Sequence, residues 1–178
     1  MTVYISLLRG VNVGGLKILM SDLKKLYESL NYGQVRSYIQ SGNLIFESSN
    51  ENIKELEGEI EAKLENKYGL LIPVFIRTVD EFKNILGNNS FPEADKKNVY
   101  VTFLKEMPED FPFDIINDKK DESERYHLIE REIYLFLPHG YGRTKISNNF
   151  FENKLKLPAT TRTWKTVNRL HELAKSEY

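Results

Sequence analysis

Over positions 1–77 the apolar residues switch between strand and helix periodicity in an order that few folds accommodate. Val3 to Arg9 is β-branched and aliphatic, a first strand. Met20, Leu23, Leu26, Tyr27 and Leu30 then recur at helical spacing, with Ser21 or Asp22 near the start and Asn31 near the stop. Val35 to Gln40 and Leu44 to Ser48 read as short strands joined by the turn Ser41-Gly42-Asn43. Ile53, Leu56, Ile60, Leu64 and Tyr68 share one face of a second helix, and Leu71 to Arg77 closes the unit as a fourth strand.

This order of elements is that of the split βαβ, ferredoxin-like arrangement, with strands one and three antiparallel neighbours at the sheet centre. It predicts the sheet order four, one, three, two, with both helices on one face. Residues 78–178 use the same vocabulary in similar order. A short helix covers 79–87, a strand Asn98 to Leu104, a hairpin Arg125 to Glu130 and Glu132 to Leu137, and helices follow over Lys145 to Leu155 and from about Thr163 to Ala174. Pro108 to Asp118 stays ambiguous, because Pro112 argues against one continuous helix. No residue-level repeat links the halves. The expected class is therefore α+β, two plait-like sandwich domains with antiparallel sheets, covering 1–77 and 78–178, the second with C-terminal helices.

The chain of 178 residues is 40% apolar and 29% charged, enough apolar surface to bury a core. It contains no cysteine, which removes disulfides, thiolate nucleophiles and Cys-based metal centres. No apolar run approaches the roughly 18 residues of a membrane span, so a cytoplasmic protein without a membrane partner is expected. Net charge is −1. Its distribution is uneven: residues 142–178 hold eight Lys/Arg against three Asp/Glu, and residues 78–141 hold eight against fourteen. Such asymmetry marks either a basic ligand surface or a pair of solvated faces.

If strands one and three are neighbours, the exit of strand one, Arg9 to Asn12, and the turn Gln40-Ser41-Gly42-Asn43 meet at one sheet edge. A guanidinium, amides, hydroxyls and glycine N–H groups would then face an anion such as phosphate or carboxylate. The competing reading makes Arg9 and Asn12 stitches that hydrogen-bond loop carbonyls. Gly10-x-x-x-Gly14-Gly15 matches neither the dinucleotide fingerprint nor a P-loop. An RNA-binding sheet needs stacking aromatics on strand three, where Asn43 and Ile45 stand instead. His127, His139 and His171 lack paired spacing, and Ser41 joins two strands of a hairpin, so neither a metal site nor a nucleophile is indicated. A late cluster, Gly142-Arg143-Thr144-Lys145 and Thr160-Thr161-Arg162, places hydroxyls before helices, where they read first as N-caps and second as anion contacts.

Four segments carry a resemblance: Leu7-Leu8-Arg9-Gly10-Val11-Asn12-Val13-Gly14-Gly15, Tyr38-Ile39-Gln40-Ser41-Gly42-Asn43, Gly142-Arg143-Thr144-Lys145, and Pro158 to Val167. Together they are similar to the bacterial domain of unknown function 1697 family, over nearly the whole chain. The resemblance implies a two-part α/β architecture and no catalytic assignment. Two departures stand out: the basic stretch after Gly14-Gly15 is reduced to Lys17, and Thr163 follows Arg162 where Asn is usual. The expected function is a binding module for an anionic ligand, without cofactor or metal. Its candidate contacts are Arg9, Asn12, Gly14, Gly15, Lys17, Gln40, Ser41, Asn43, Lys145 and Arg162. Nucleic acid is the weaker form of that ligand. An enzyme on a phosphorylated or carboxylated metabolite, or an interaction domain with structural loops, is the alternative.

Overall fold

The structure, a computed structural model, describes residues 1–15 and 17–176. The described residues are mixed α/β, with six α-helices and two four-stranded antiparallel sheets among them. The chain divides into two compact units, 1–83 with the residues from Arg169 on, and 84–168. The sequence puts the boundary at 77/78 and leaves the C-terminal helix wholly in the second half.

The first unit contains β1 (Thr2–Leu8), α1 (Met20–Glu28), β2 (Gly33–Tyr38), β3 (Asn43–Ser48), α2 (Ile53–Tyr68) and β4 (Val74–Thr78), followed by α3 (Val79–Gly87). Its sheet order is β2-β3-β1-β4, the expected four-one-three-two, with Tyr4 opposite Phe46. Both helices cover one face. Tyr4, Leu8, Leu44, Phe46, Val74 and Ile76 of the sheet pack with Leu23, Leu26 and Tyr27 of α1 and Leu56, Ile60 and Leu64 of α2. Each such side chain contributes about 1.5–3 kcal/mol on burial. Ser6, also on this face and fully buried, pairs its hydroxyl with Tyr27 Oη at 2.8 Å.

Local chemistry sets the ends of α2. Asn52 accepts the Glu55 N–H at its start, and Gly69 at φ 68° returns its N–H to Glu65 O at its end. β4 begins at Val74, three residues later than the sequence suggests, because Pro73 has no N–H to give a ladder. As an edge strand β4 needs acceptors on its outer side. α2 supplies them: Glu61 accepts the Val74 N–H and buried Glu57 the Ile76 N–H, each at 2.8 Å.

The second unit contains β5 (Val99–Leu104), α4 (Phe113–Lys119), β6 (Arg125–Ile129), β7 (Glu132–Phe136), α5 (Asn148–Leu155) and β8 (Ala159–Thr163), where α6 (Trp164–Lys175) starts. Its sheet order, β6-β7-β5-β8, is the order of the first unit in matching elements. Leu104, Phe111, Ile116, Ile133, Leu135, Ile146 and Phe151 form its core. Pro112 resolves the ambiguous segment by preceding α4, its fixed φ suiting a helix start. β8 has no counterpart in the sequence reading. Thr160-Thr161-Arg162 is strand, and Thr163 is the hydroxyl that accepts the Thr166 N–H at the start of α6.

Register exposes a repeat that sequence comparison alone misses. Val3-Tyr4-Ile5-Ser6-Leu7-Leu8 on β1 corresponds to Val99-Tyr100-Val101-Thr102-Phe103-Leu104 on β5. Ile5 pairs with Arg77 and Tyr4 with Thr78, as Val101 pairs with Arg162 and Tyr100 with Thr163. The edge-strand device recurs as well: Glu152 of α5 accepts the Ala159 N–H at 2.9 Å, and Ala159 faces Leu104 as Val74 faces Leu8.

Candidate functional site

The exit of β1 and the β2–β3 turn do meet. Leu8 N–H donates to Gly42 O at 2.8 Å, and a Cβ built on Gly42, at φ +69°, would lie 2.9 Å from Leu8 Cβ and 3.1 Å from Val11 Cβ. Only glycine allows both that conformation and that approach. Arg9 N–H donates to Pro73 O at 3.0 Å, which draws the α2–β4 connection to the same end of the sheet. Gly10 and Gly14 have φ of 72° and 82°, the left-handed region that favours glycine, where the β1–α1 loop turns.

The polar side chains here divide by use. Asn12, itself at φ 58°, clamps the loop onto Ile18: its Nδ2 donates to Ile18 O at 2.9 Å and its Oδ1 accepts the Ile18 N–H at 2.8 Å. Asn43 is fully buried and spends its amide on Tyr38 O at 3.2 Å and Ser41 Oγ at 2.8 Å. Both asparagines thus hold the frame. Arg9 and Ser41 are half-buried, and Gly14, Gly15, Lys17 and Gln40 are exposed. The 9–19 and 39–43 segments contain no carboxylate and no histidine.

The late cluster lies in the second unit. Thr161 Oγ1 meets Thr102 Oγ1 at 2.8 Å and donates to Asn148 Oδ1 at 3.1 Å, while Tyr141 Oη reaches it at 3.4 Å and accepts the Asn148 N–H at 2.7 Å. Asn148 Nδ2 completes the set on Ala159 O at 2.8 Å. These hydroxyls join β8, β5 and the start of α5 rather than cap a helix. Half-buried Arg162 donates to Thr160 Oγ1 at 2.8 Å and Thr161 O at 3.0 Å, and burial holds its pKa below the usual arginine value. Lys145, with His139 and Arg143, lines a cavity of about 560 Å³ whose other wall is the α4–β6 loop. In that wall the Ser123 hydroxyl and N–H bind Asp121 Oδ1, and with the charges of His139 and Lys120 they lower the Asp121 carboxyl below its ordinary range. No sequence motif marks this cavity, because two loops separated by the β6–β7 hairpin supply it.

No helix among the described residues is long and apolar enough to cross a membrane, and no group of three metal-ligating side chains occurs among them. Fold and site together define a mixed α/β protein with two similarly wound sheets and a glycine-bent polar edge on the first. The chain belongs to the family described as protein of unknown function (DUF1697), whose model matches residues 1–134. Its fold is similar to that of a conserved bacterial protein from Streptococcus pneumoniae, at 24% identity and a TM-score of 0.72, over 98% of this chain and 99% of that one. No curated protein matches the chain.

Proposed function

We propose that this protein is a binding module for a small anion, a phosphate or carboxylate, held at the end of the first sheet. Both units belong, on this reading, to the ferredoxin-like plaits, and the sheet end is where their β1–α1 and β2–β3 loops converge. The observation that carries the proposal is the Gly42 approach to Leu8 and Val11, which sets the β2–β3 turn, with Gln40 and Ser41, against the exit of β1, with Arg9. Arg9 and Lys17 supply charge, the glycine N–H groups and Gln40 supply donors, and Asn12 and Asn43 keep the loops in place. Lys145, beside Arg143 in the cavity, and Arg162, on β8, are separate cations of the other unit, either of which is a further candidate contact.

Binding ranks above catalysis because the edge contains cations, amides and hydroxyls but no group to carry a proton. A small ligand ranks above nucleic acid because Asn43 and Ile45, which occupy the strand-three positions that stacking would use, are buried. Thermal unfolding with inorganic phosphate, nucleotides and organic acids tests the proposal. A ligand at about a hundred times its Kd adds about 2.7 kcal/mol and raises the midpoint by several degrees, at roughly 2–4 °C per kcal/mol. Lys17→Ala, at an exposed position, should weaken that shift without lowering the midpoint of the free protein.

A further inference from the structure

Three loops meet at the end of the first sheet, and their composition departs from the rest of the chain. Residues 9–19 contain Arg9 and Lys17 and no acid, and residues 39–42 and 69–73 contain no charge at all, in a chain that is 29% charged with net charge −1. The same loops expose aliphatic side chains. Leu71 is 79% exposed, Val13 69%, Leu19 67%, Ile39 51% and Leu70 46%. Among the described residues these are five of the nine large hydrophobics left in solvent. Scattered exposed aliphatics need no explanation, whereas a group gathered on the tips of converging loops marks a contact surface.

Topology explains why they share one end. Leu7 pairs with Asn43 and Leu8 with Val74, so the exit of β1 and the entries to β3 and β4 are neighbours. α1 starts there at Met20, which places Leu19 beside them, and α2 ends there at Tyr68, capped by Gly69, which places Leu70 and Leu71. Pro73 postpones β4 to Val74 and so leaves Leu71 in a loop rather than in the sheet.

We propose that this end of the first unit docks on a bilayer containing anionic phospholipid. The aliphatic tips enter the boundary between headgroups and acyl chains, and Arg9 and Lys17 meet the phosphates. The inference rests on the anion-binding reading and identifies the anion as a lipid headgroup. Charge complementarity selects the occupant: three loops with two cations, no carboxylate of their own and five aliphatic tips fit a phosphate layer over hydrocarbon. The expectation of no membrane partner came from the lack of a spanning segment, which does not bear on docking at a surface.

Co-sedimentation of the full chain with vesicles of phosphatidylcholine, alone or mixed with phosphatidylglycerol, tests this, with phosphate-induced thermal stabilisation measured in parallel. The expected result is a preference of about 30-fold for the anionic vesicles, from two cations near the surface. Leu19→Ser with Leu71→Ser should lose at least about tenfold in vesicle binding and keep the phosphate response, and Lys17→Ala should weaken both. A phosphate response without vesicle binding overturns this inference and leaves the anion-binding reading standing. Absence of both responses overturns both. Equal binding to the two vesicle types, or binding indifferent to the serine variants, also overturns it. So does self-association that the serine variants abolish, which would assign the rim to a second copy of the chain.

Discussion

At the scale of single residues, the candidate edge is held by positions whose chemistry is settled. Gly42 combines a left-handed φ with a steric limit, so Gly42→Ala should cost about 1–3 kcal/mol from strain and overpacking, read as a lower denaturant midpoint at unchanged m-value. Tyr27 is buried with its hydroxyl on Ser6, and burial raises its pKa above the ordinary value of 10. The unfolded chain therefore releases that proton near pH 10 and the folded chain holds it, so stability falls as pH rises above about 10, by up to about 1.4 kcal/mol per pH unit. Burial raises Tyr32 and Tyr134 as well, so Tyr27→Phe should reduce the alkaline slope in part and not abolish it, in urea titrations between pH 9 and 11. The motif Arg9 to Gly15 was legible as a loop at a strand exit, but not the division of labour within it. Asn12 reads from sequence as either ligand contact or stitch, and only its two bonds to Ile18 decide that its amide serves the loop.

Among elements, the edge strands give the clearest energetic statement. Glu57 and Glu61 of α2, and Glu152 of α5, each accept an N–H from the outer strand beside them. Glu57→Ala should cost about 1–3 kcal/mol, because a buried donor loses its acceptor, and the Ile76 amide should then exchange faster with solvent. Most elements were legible in the sequence because apolar spacing alone defines them, as for α2 through Ile53, Leu56, Ile60 and Leu64. β8 was not, since Ala159-Thr160-Thr161-Arg162-Thr163 has no apolar alternation and its threonines serve a hydroxyl network. The repeat was equally hidden, because a six-residue match of β1 to β5 is too short to stand out by itself and it is the pairing of Ile5 with Arg77 and of Val101 with Arg162 that aligns the units.

For the whole molecule, two units of one topology carry different surfaces. The first gathers cations and aliphatic tips at one sheet end, and the second turns its polar residues inward around Thr161 and outward into the cavity beside Lys145. The first of these surfaces is the one proposed to take an anion. Titration of inorganic phosphate into the ¹⁵N-labelled chain, followed by two-dimensional NMR, tests it most directly. Anion binding at this edge predicts saturable shifts of the Gly10, Gly14 and Gly15 amides and the Gln40 side-chain amide, absent in Arg9→Ala provided that this variant retains the wild-type spectrum elsewhere. Shifts confined to the Arg143–Lys145 loop, or none at phosphate concentrations well above physiological, would contradict it and leave Arg9 as a structural residue.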